Sequence, residues 1–247
     1  MWEGKGMEKG DLLYEGKAKK IFSVTDSSGD VWVEFKNSLT AFNGEKKSEL
    51  ENKGRLNCLI TSLIYKLLTQ KGIETHMKQT MSDTEMVCER VDIIPLEVVV
   101  RNILAGSTAK KFNIQEGTPL EKPLVEFYYK DDSLGDPFIS DDQALMLKAV
   151  TDSKDLQLLK EKALQVNTAL QEIFSEVGIE LIDFKLEYGR TTSNKILLAD
   201  EITPDTCRLW DKKTGEKMDK DRFRRDLGNV VEFYSEIYKR LQEHWEK

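Results

Sequence analysis

The chain is poor in cysteine, histidine and proline and has no long apolar run, and each shortage removes a class of protein. Its 247 residues include three cysteines, two histidines and five prolines. An odd set of cysteines, Cys58, Cys88 and Cys207, fits neither a disulfide framework nor a zinc-ligand spacing, and three unpaired thiols suit a reducing cytoplasm. His76 has no second histidine, serine or cysteine at a working spacing and reads as a structural, hydrogen-bonded residue. Without a Ser-His-Asp or Cys-His set, no covalent enzyme intermediate is expected. The longest apolar run, around Val98 to Val100, is far too short to cross a bilayer, and the first residues carry no apolar signal core, so a soluble protein is expected. A net charge of −7 argues against broad nucleic-acid binding, so basic residues gathered at a site point to a small anionic ligand.

The sequence has charged residues at strand positions. From Ile179 to Tyr188 the residues alternate, with Ile182, Phe184, Leu186 and Tyr188 on one face and Asp183, Lys185 and Glu187 on the other. A polar loop follows Gly189, then the apolar run Ile196 to Ala199, then Asp200, Glu201, Thr203, Pro204 and Asp205. This predicts a β-hairpin whose return strand brings Asp200 beside Glu187, with Lys185 one pleat away. Two adjacent carboxylates repel unless a cation lies between them. Hard oxygen ligands with no histidine or cysteine beside them suit Mg2+ carrying a nucleotide phosphate rather than zinc. On pattern alone, an ordinary hairpin with a solvated outer face fits equally well.

In chain order, residues 1–10 read as a mobile lead-in anchored only by Trp2 and Met7, and the fold is expected to begin at Asp11. A three-stranded meander follows, over Leu12 to Tyr14, Lys17 to Val24 and Val31 to Phe35. Lys17 and Lys19 lie two apart after Gly16, which places both on one strand face where ammonium groups can reach phosphates; solvated lysines at a turn give the same pattern. Asn37 to Gly44 reads as turns. It leads through a charged segment into a helix whose stripe, Leu56, Leu59, Ile60, Leu63, Ile64, Leu67 and Leu68, is core, stopped by Gly72. Strands are expected over Glu74 to Thr80 and Met86 to Val91.

A buried strand at Val98 to Val100, with Arg101 at its end and Ala105 to Thr108 opening a short helix over Ala109 to Phe112, brings together free N–H groups, a hydroxyl and a guanidinium. That is the make-up of an anion pocket. A strand-end arginine paired to a carboxylate is the alternative. Lys130 to Asp132 reads as a loop, Ser140 as the cap of a helix reaching about Val150, and Ser153 as the start of another, ending before Gly178. Asp219 is expected to cap one terminal helix with Phe223, Leu227, Val230, Val231, Tyr234, Ile237, Tyr238 and Leu241 inward.

Five ordered segments, LYEGKAKKIF, TAFNG, IPLEVVVRNILAGS, LIDFKLEYG and ADEITPDTCRLWD, resemble those of the SAICAR synthetase family of purine biosynthesis, over roughly Leu12 to Leu241. Tyr188 stands where phenylalanine is usual, on the core face. The resemblance implies an α+β fold with a small N-terminal antiparallel β domain (11–92) closing over ATP, in the broad manner of kinase and ATP-grasp clefts, and a larger α+β domain (93–247) holding substrate and metal. It implies a ligase joining CAIR, a carboxylated aminoimidazole ribonucleotide, to L-aspartate while ATP becomes ADP and phosphate. It puts Lys17, Ala18 and Lys19 on the ATP phosphates and Lys130 on the nucleotide. Glu187 and Asp200 hold Mg2+, and Lys185 sits beside the transferring phosphate. Arg101, Ser107 and Arg208 grip the ribonucleotide 5'-phosphate, with Glu97 and Asp205 near its imidazole. Ser38 stands where the family often has an acidic residue, which leaves that carboxylate's role without a bearer; Asn43 is the nearer polar contact. A homodimer is left open. A small-molecule kinase shares the lysines and metal carboxylates but not the Arg101, Ser107 and Arg208 grip, and a non-catalytic nucleotide-binding module tolerates loss of the metal carboxylates.

Overall fold

The computed structural model describes residues 7–25, 27–41 and 44–246. Trp2 and Asn43 therefore lie outside the described residues. The chain opens with a five-stranded antiparallel sheet in the order β1-β2-β3-β7-β6, where β1 is Lys9–Glu15, β2 Lys19–Val24, β3 Ser27–Phe35, β6 Met77–Ser82 and β7 Glu85–Glu89. The fold begins two residues earlier than the sequence predicts, because Lys9 is fixed by Glu34 and Glu85 across the sheet. Ser27 to Asp30, expected as loop, is already in β3, and His76 lies just before β6 rather than within a strand.

Asn37 to Gly44 and the charged segment after it were expected to be turns and coil. Instead β4 (Ser38–Ala41) pairs with β5 (Lys46–Glu49) as a separate hairpin. Helix α1 (Lys53–Gln70) follows and ends as predicted at Gly72, whose φ is +79°. Its buried face is divided among three cores: Leu56 packs with Leu39, Val230 and Tyr234, Cys58 packs with Val33, Phe35, Met86 and Cys88 under the first sheet, and Ile60, Leu63, Ile64, Leu67 and Leu68 join the main core, while Leu59 is half-buried.

The second sheet has the order β10-β9-β8-β11-β12, from β8 (Asp92–Leu104), β9 (Thr118–Tyr129), β10 (Phe138–Ile139), β11 (Ile179–Arg190) and β12 (Ile196–Ala199). β13 (Cys207–Asp211) pairs with the first half of β11, and β12 with its last residues, so β11 is central along its length. Helix α4 (Ser153–Glu176) covers the inner face, where Leu156, Leu159, Val166, Leu170, Ile173 and Phe174 meet Val98, Val100, Phe184 and Leu186. Each such fully buried side chain contributes about 1.5–3 kcal/mol. Ser140 caps α3 (Asp141–Met146) with a full capping box, although the helix stops short of Val150.

Two further expectations are corrected. The helix expected over Ala109 to Phe112 is α2 (Gly106–Lys111). The terminal helix is broken into α5 (Asp221–Arg224) and α6 (Val230–Trp245), since Gly228 and Asn229 both have positive φ. Asp219 caps neither helix end as predicted; it is buried beneath the turn, accepting the N–H groups of Leu209 and Asp221 at 2.8 and 2.7 Å.

Candidate active site

The outer face of the second sheet carries charge in cross-strand rows, because the side chains of β8 and β11 alternate in register. Asp183 lies opposite Arg101 on β8 and Arg208 on β13; Lys185 lies opposite Val99; Glu187 lies between Glu97 on β8 and Ala199 on β12. Asp200 comes one residue after Ala199, with a left-handed φ of 65° that turns it into the cleft. Holding a non-glycine residue there costs about 1–3 kcal/mol, a strain typical of functional positions. The loop and strand that carry Lys17 and Lys19 cover this face, and a cavity of about 740 Å³ lies between.

Glu187 and Asp200 share an ammonium group. Lys185 donates to the Glu187 carboxylate and lies 3.3 Å from Asp200 Oδ2 and 3.2 Å from Glu97 Oε1. Lys19 pairs with Asp200 and lies 3.2 Å from Glu201, and Lys130 lies 3.1 Å from Glu187. Burial disfavours charge on Lys19, but Asp200 and Glu201 outweigh it and hold its pKa above the ordinary lysine value. Burial likewise opposes ionisation of Asp200, and Lys19 and Lys185 overcome it, so its pKa falls well below the usual range. Burial raises the pKa of Glu97, with Lys185 opposing. Burial and the nearby Lys19 charge push His76 down to about 4, so it is a neutral wall residue.

At the other end of the rows, Arg101 donates to Asp183 Oδ2 at 2.6 Å and Glu126 Oε2 at 2.7 Å, and Arg208 donates to both Asp183 oxygens and to Asp221 Oδ2 at 3.0 Å. Gly106, with φ +61°, backs this group: a Cβ there would strike the Arg208 guanidinium. Ser107 follows at the cavity edge.

Residues 12–241 match the sequence family described as SAICAR synthetase. The chain belongs to the SAICAR synthetase family. A phosphoribosylaminoimidazole-succinocarboxamide synthase of Halalkalibacterium halodurans is 58% identical over 237 residues, 96% of this chain and 99% of that protein. Among solved structures, the phosphoribosylaminoimidazole-succinocarboxamide synthase of Ehrlichia chaffeensis aligns with a TM-score of 0.91 at 44% identity, covering 94% of this chain and 98% of that one. A SAICAR synthetase in complex with ADP aligns with a TM-score of 0.89 at 43% identity, covering 96% and 98%. As a SAICAR synthetase family member, the chain is an ATP-consuming ligase of purine synthesis with an α+β fold.

The residues singled out in the sequence gather around this one cavity: Lys17, Ala18, Lys19, Lys130, Glu97, Arg101, Ser107, Lys185, Glu187, Asp200, Asp205 and Arg208 all line it. Some local placements differ. Lys17 lies in the turn before β2, exposed and 2.7 Å from Asp132, so it does not share a strand face with Lys19. Arg101 is inside β8 rather than at its end, because the strand continues to Leu104. Arg101 is carboxylate-paired, the alternative offered for it, and it lines the cavity.

Several cavity residues were not legible. Lys53, 1% exposed, lies 2.5 Å from Asp205 Oδ2 and donates to Ser38 O at 2.8 Å. Asp205 also accepts from Asn57 at 2.9 Å and from the Tyr234 hydroxyl at 2.6 Å. Burial opposes the Asp205 charge, but Lys53 and Lys220 hold its pKa at about 2. Ser38 Oγ donates to Lys17 O, tying the turn to this cluster. Lys53 sits in a charged segment with no periodicity, so no sequence signal marked it. Asp183, by contrast, was in the charged row and merited a role.

Proposed function

We propose that this chain joins CAIR to L-aspartate, forming SAICAR, ADP and phosphate through an acyl phosphate. A carboxylate and an amine do not condense in water, because oxide is too poor a leaving group. A CAIR carboxylate oxygen attacks the γ-phosphorus of ATP, and the bond to the ADP oxygen breaks. The aspartate nitrogen then attacks the acyl carbon, phosphate leaves with the bond electrons, and the nitrogen loses a proton. The protein's part is positioning and charge neutralisation.

The observation that carries this reading is the shared ammonium: Glu187 and Asp200 converge on Lys185 beside Lys19 and Lys130. Two carboxylates brought this close to one cation fit Mg2+, which takes one or two protein carboxylates with phosphate and water oxygens for the rest. Among the described residues no group of three or more such ligands occurs, consistent with a metal that arrives with its nucleotide. Bound there, Mg2+ supplies charge neutralisation on the phosphates. Lys17, Lys19 and Lys130 would hold the ATP phosphates and Lys185 the transferring group. Arg101, Ser107 and Arg208 would hold the ribonucleotide 5'-phosphate, with Glu97 and Asp205 near the imidazole. The free, buried Cys58, Cys88 and Cys207 suit a reducing cytoplasm.

The test is phosphate release from ATP and CAIR, with and without L-aspartate. Sustained release that needs all three substrates, with SAICAR as product, is the expected result. A phosphorylated product formed at full rate without the amine would make the chain a small-molecule kinase instead.

A further inference from the structure

The chain leaves the second sheet after Leu104 and returns at Thr118, which pairs with Leu104 across β8 and β9. Gly117 closes this excursion: its φ is +94°, a conformation that suits glycine, and its N–H donates to Leu104 O at 2.8 Å. The preceding residue, Glu116, folds back on the start of the loop and accepts the Gly106 N–H at 3.2 Å. Arg225, which closes α5, donates to the same carboxylate through both Nη atoms, one of them at 3.0 Å, and Lys217 donates at 3.5 Å. The hydrogen bonds from Arg225 hold the Glu116 pKa at about 2 against the cost of burial. Arg225 also lies 3.5 Å from Asp221 Oδ2, the oxygen to which Arg208 Nε donates. The contacts close a ring: Gly106 to Glu116, Glu116 to Arg225, Arg225 to Asp221, Asp221 to Arg208, and Arg208 against the bare Cα of Gly106, where a Cβ would lie 2.4 Å from Nη2.

We propose that Glu116 is a positioning residue for the ribonucleotide phosphate: through Arg225 it sets the Gly106–Ser107 turn at a fixed place against Arg208, so that hydroxyl and guanidinium face one anion. The inference rests on the ligase reading above, in which Ser107 and Arg208 hold that phosphate. Ser107 comes from the first turn of α2 and Arg208 from β13, and no hydrogen bond joins their side chains among the described residues. Their spacing is therefore set by what lies behind them. An anion shared by two elements is held well only when neither must move to reach it, since every rearrangement subtracts from binding. A bidentate arginine-carboxylate pair is a stiff joint for that purpose. Neither Glu116 nor Arg225 lines the cavity, so the joint acts without touching substrate. The pair is also half-buried, of the kind that adds little to global stability, which separates its effect on binding from an effect on folding.

The experiment measures kcat and KM for each substrate in the full-length protein carrying Glu116→Ala, Arg225→Gln, or both. Either single change is expected to raise KM for CAIR about tenfold, the equivalent of one charge-assisted hydrogen bond, with kcat and the KM values for ATP and L-aspartate within about twofold of wild type. The double variant should be no worse than the single ones, because the two residues act through one joint. On a Ser107→Ala background, Glu116→Ala should add less than it does alone, since the hydroxyl it places is gone. A KM for CAIR within about twofold of wild type in Glu116→Ala overturns the proposal while Ser107→Ala raises it. So do equal rises in all three KM values, or additive effects of Glu116→Ala and Arg225→Gln, which mark an ion pair that serves the fold alone. Ser107→Ala by itself judges the ligase reading: if it raises KM for ATP in place of CAIR, that reading has the wrong phosphate, and Glu116→Ala following it to ATP still upholds the joint. Should Glu116→Ala fail to fold by circular dichroism, Arg225→Gln takes the same measurements and the same outcomes decide.

Discussion

Glu187 and Asp200 are joined through a single ammonium, that of Lys185, although Glu187 lies on β11 and Asp200 just past the end of β12. The lysine holds two like charges together, the task that Mg2+ would take over in the proposed reaction. Glu187→Gln or Asp200→Asn should therefore lower turnover about a hundredfold or more, since each deletes a ligand charge while keeping shape. Circular dichroism should remain that of the wild type. Near-normal turnover at saturating Mg2+ would remove these residues from the metal site.

The pairing of Arg101 changes what its substitution will report. It is buried against Asp183 and Glu126, so Arg101→Ala leaves Glu126 without a cation and Asp183 with Arg208 alone, and should destabilise the protein by about 3–5 kcal/mol, read as a lower urea midpoint. Ser107→Ala carries no such cost. It should weaken CAIR binding with ATP binding unchanged, measured by calorimetry. A loss of ATP affinity alone would mean the two anion sites are exchanged.

All three thiols are buried, and burial pushes Cys58 up to about 12 and raises Cys88 and Cys207 as well. Little thiolate is present at neutral pH, so native protein should react with iodoacetamide far more slowly than unfolded protein. Cys207→Ser should retain activity, because the thiol lines the cavity without a chemical task. An inactive variant that folds would overturn that assignment.

Asp205 sets an acid-side limit. Its pKa is about 2, against an ordinary value of 3.8, so its ionised form contributes stability above about pH 4 that is lost as pH falls toward 2. Unfolding by urea should show wild type more stable than Asp205→Asn above pH 4, with the gap narrowing below it. A gap constant across that window would mean the Lys53 pair does not hold in solution.

Elements with one clear apolar face were legible: the helices α1 and α4 and the 179–199 hairpin lie where periodicity put them, and the meander does so except at its strand ends. β9 was not, because Pro119, Pro123 and the charges between them obscure alternation. The strand tolerates both prolines because its first half is an edge, β10 pairing only with Phe127 and Tyr128. β5 reads KKSE and packs nothing into the core, so no pattern could reveal it. The break between α5 and α6 did have a signal, Gly228 after Leu227, which the continuing apolar spacing overrode. At the site, the charged row of β11 announced itself, since carboxylates at strand positions are costly without a purpose. Lys53 and Lys220 did not, because a lysine in a polar segment looks the same whether it ends in water or in a cleft.

Helix α1 also decides how this enzyme can be taken apart. The covering sheet has no private core large enough to stand on, and Gly54 fits so closely against the backbone at Phe35 and Lys36 that any side chain would collide with it. Its later turns, from Ile60 onward, are part of the main core. A fragment starting at residue 93 would present an empty apolar trough to water and aggregate rather than bind ribonucleotide. For anyone recombining relatives, the natural unit of exchange is the sheet and α1 together with the wall that α1 fills, so a crossover at the 92/93 junction should yield insoluble chimeras.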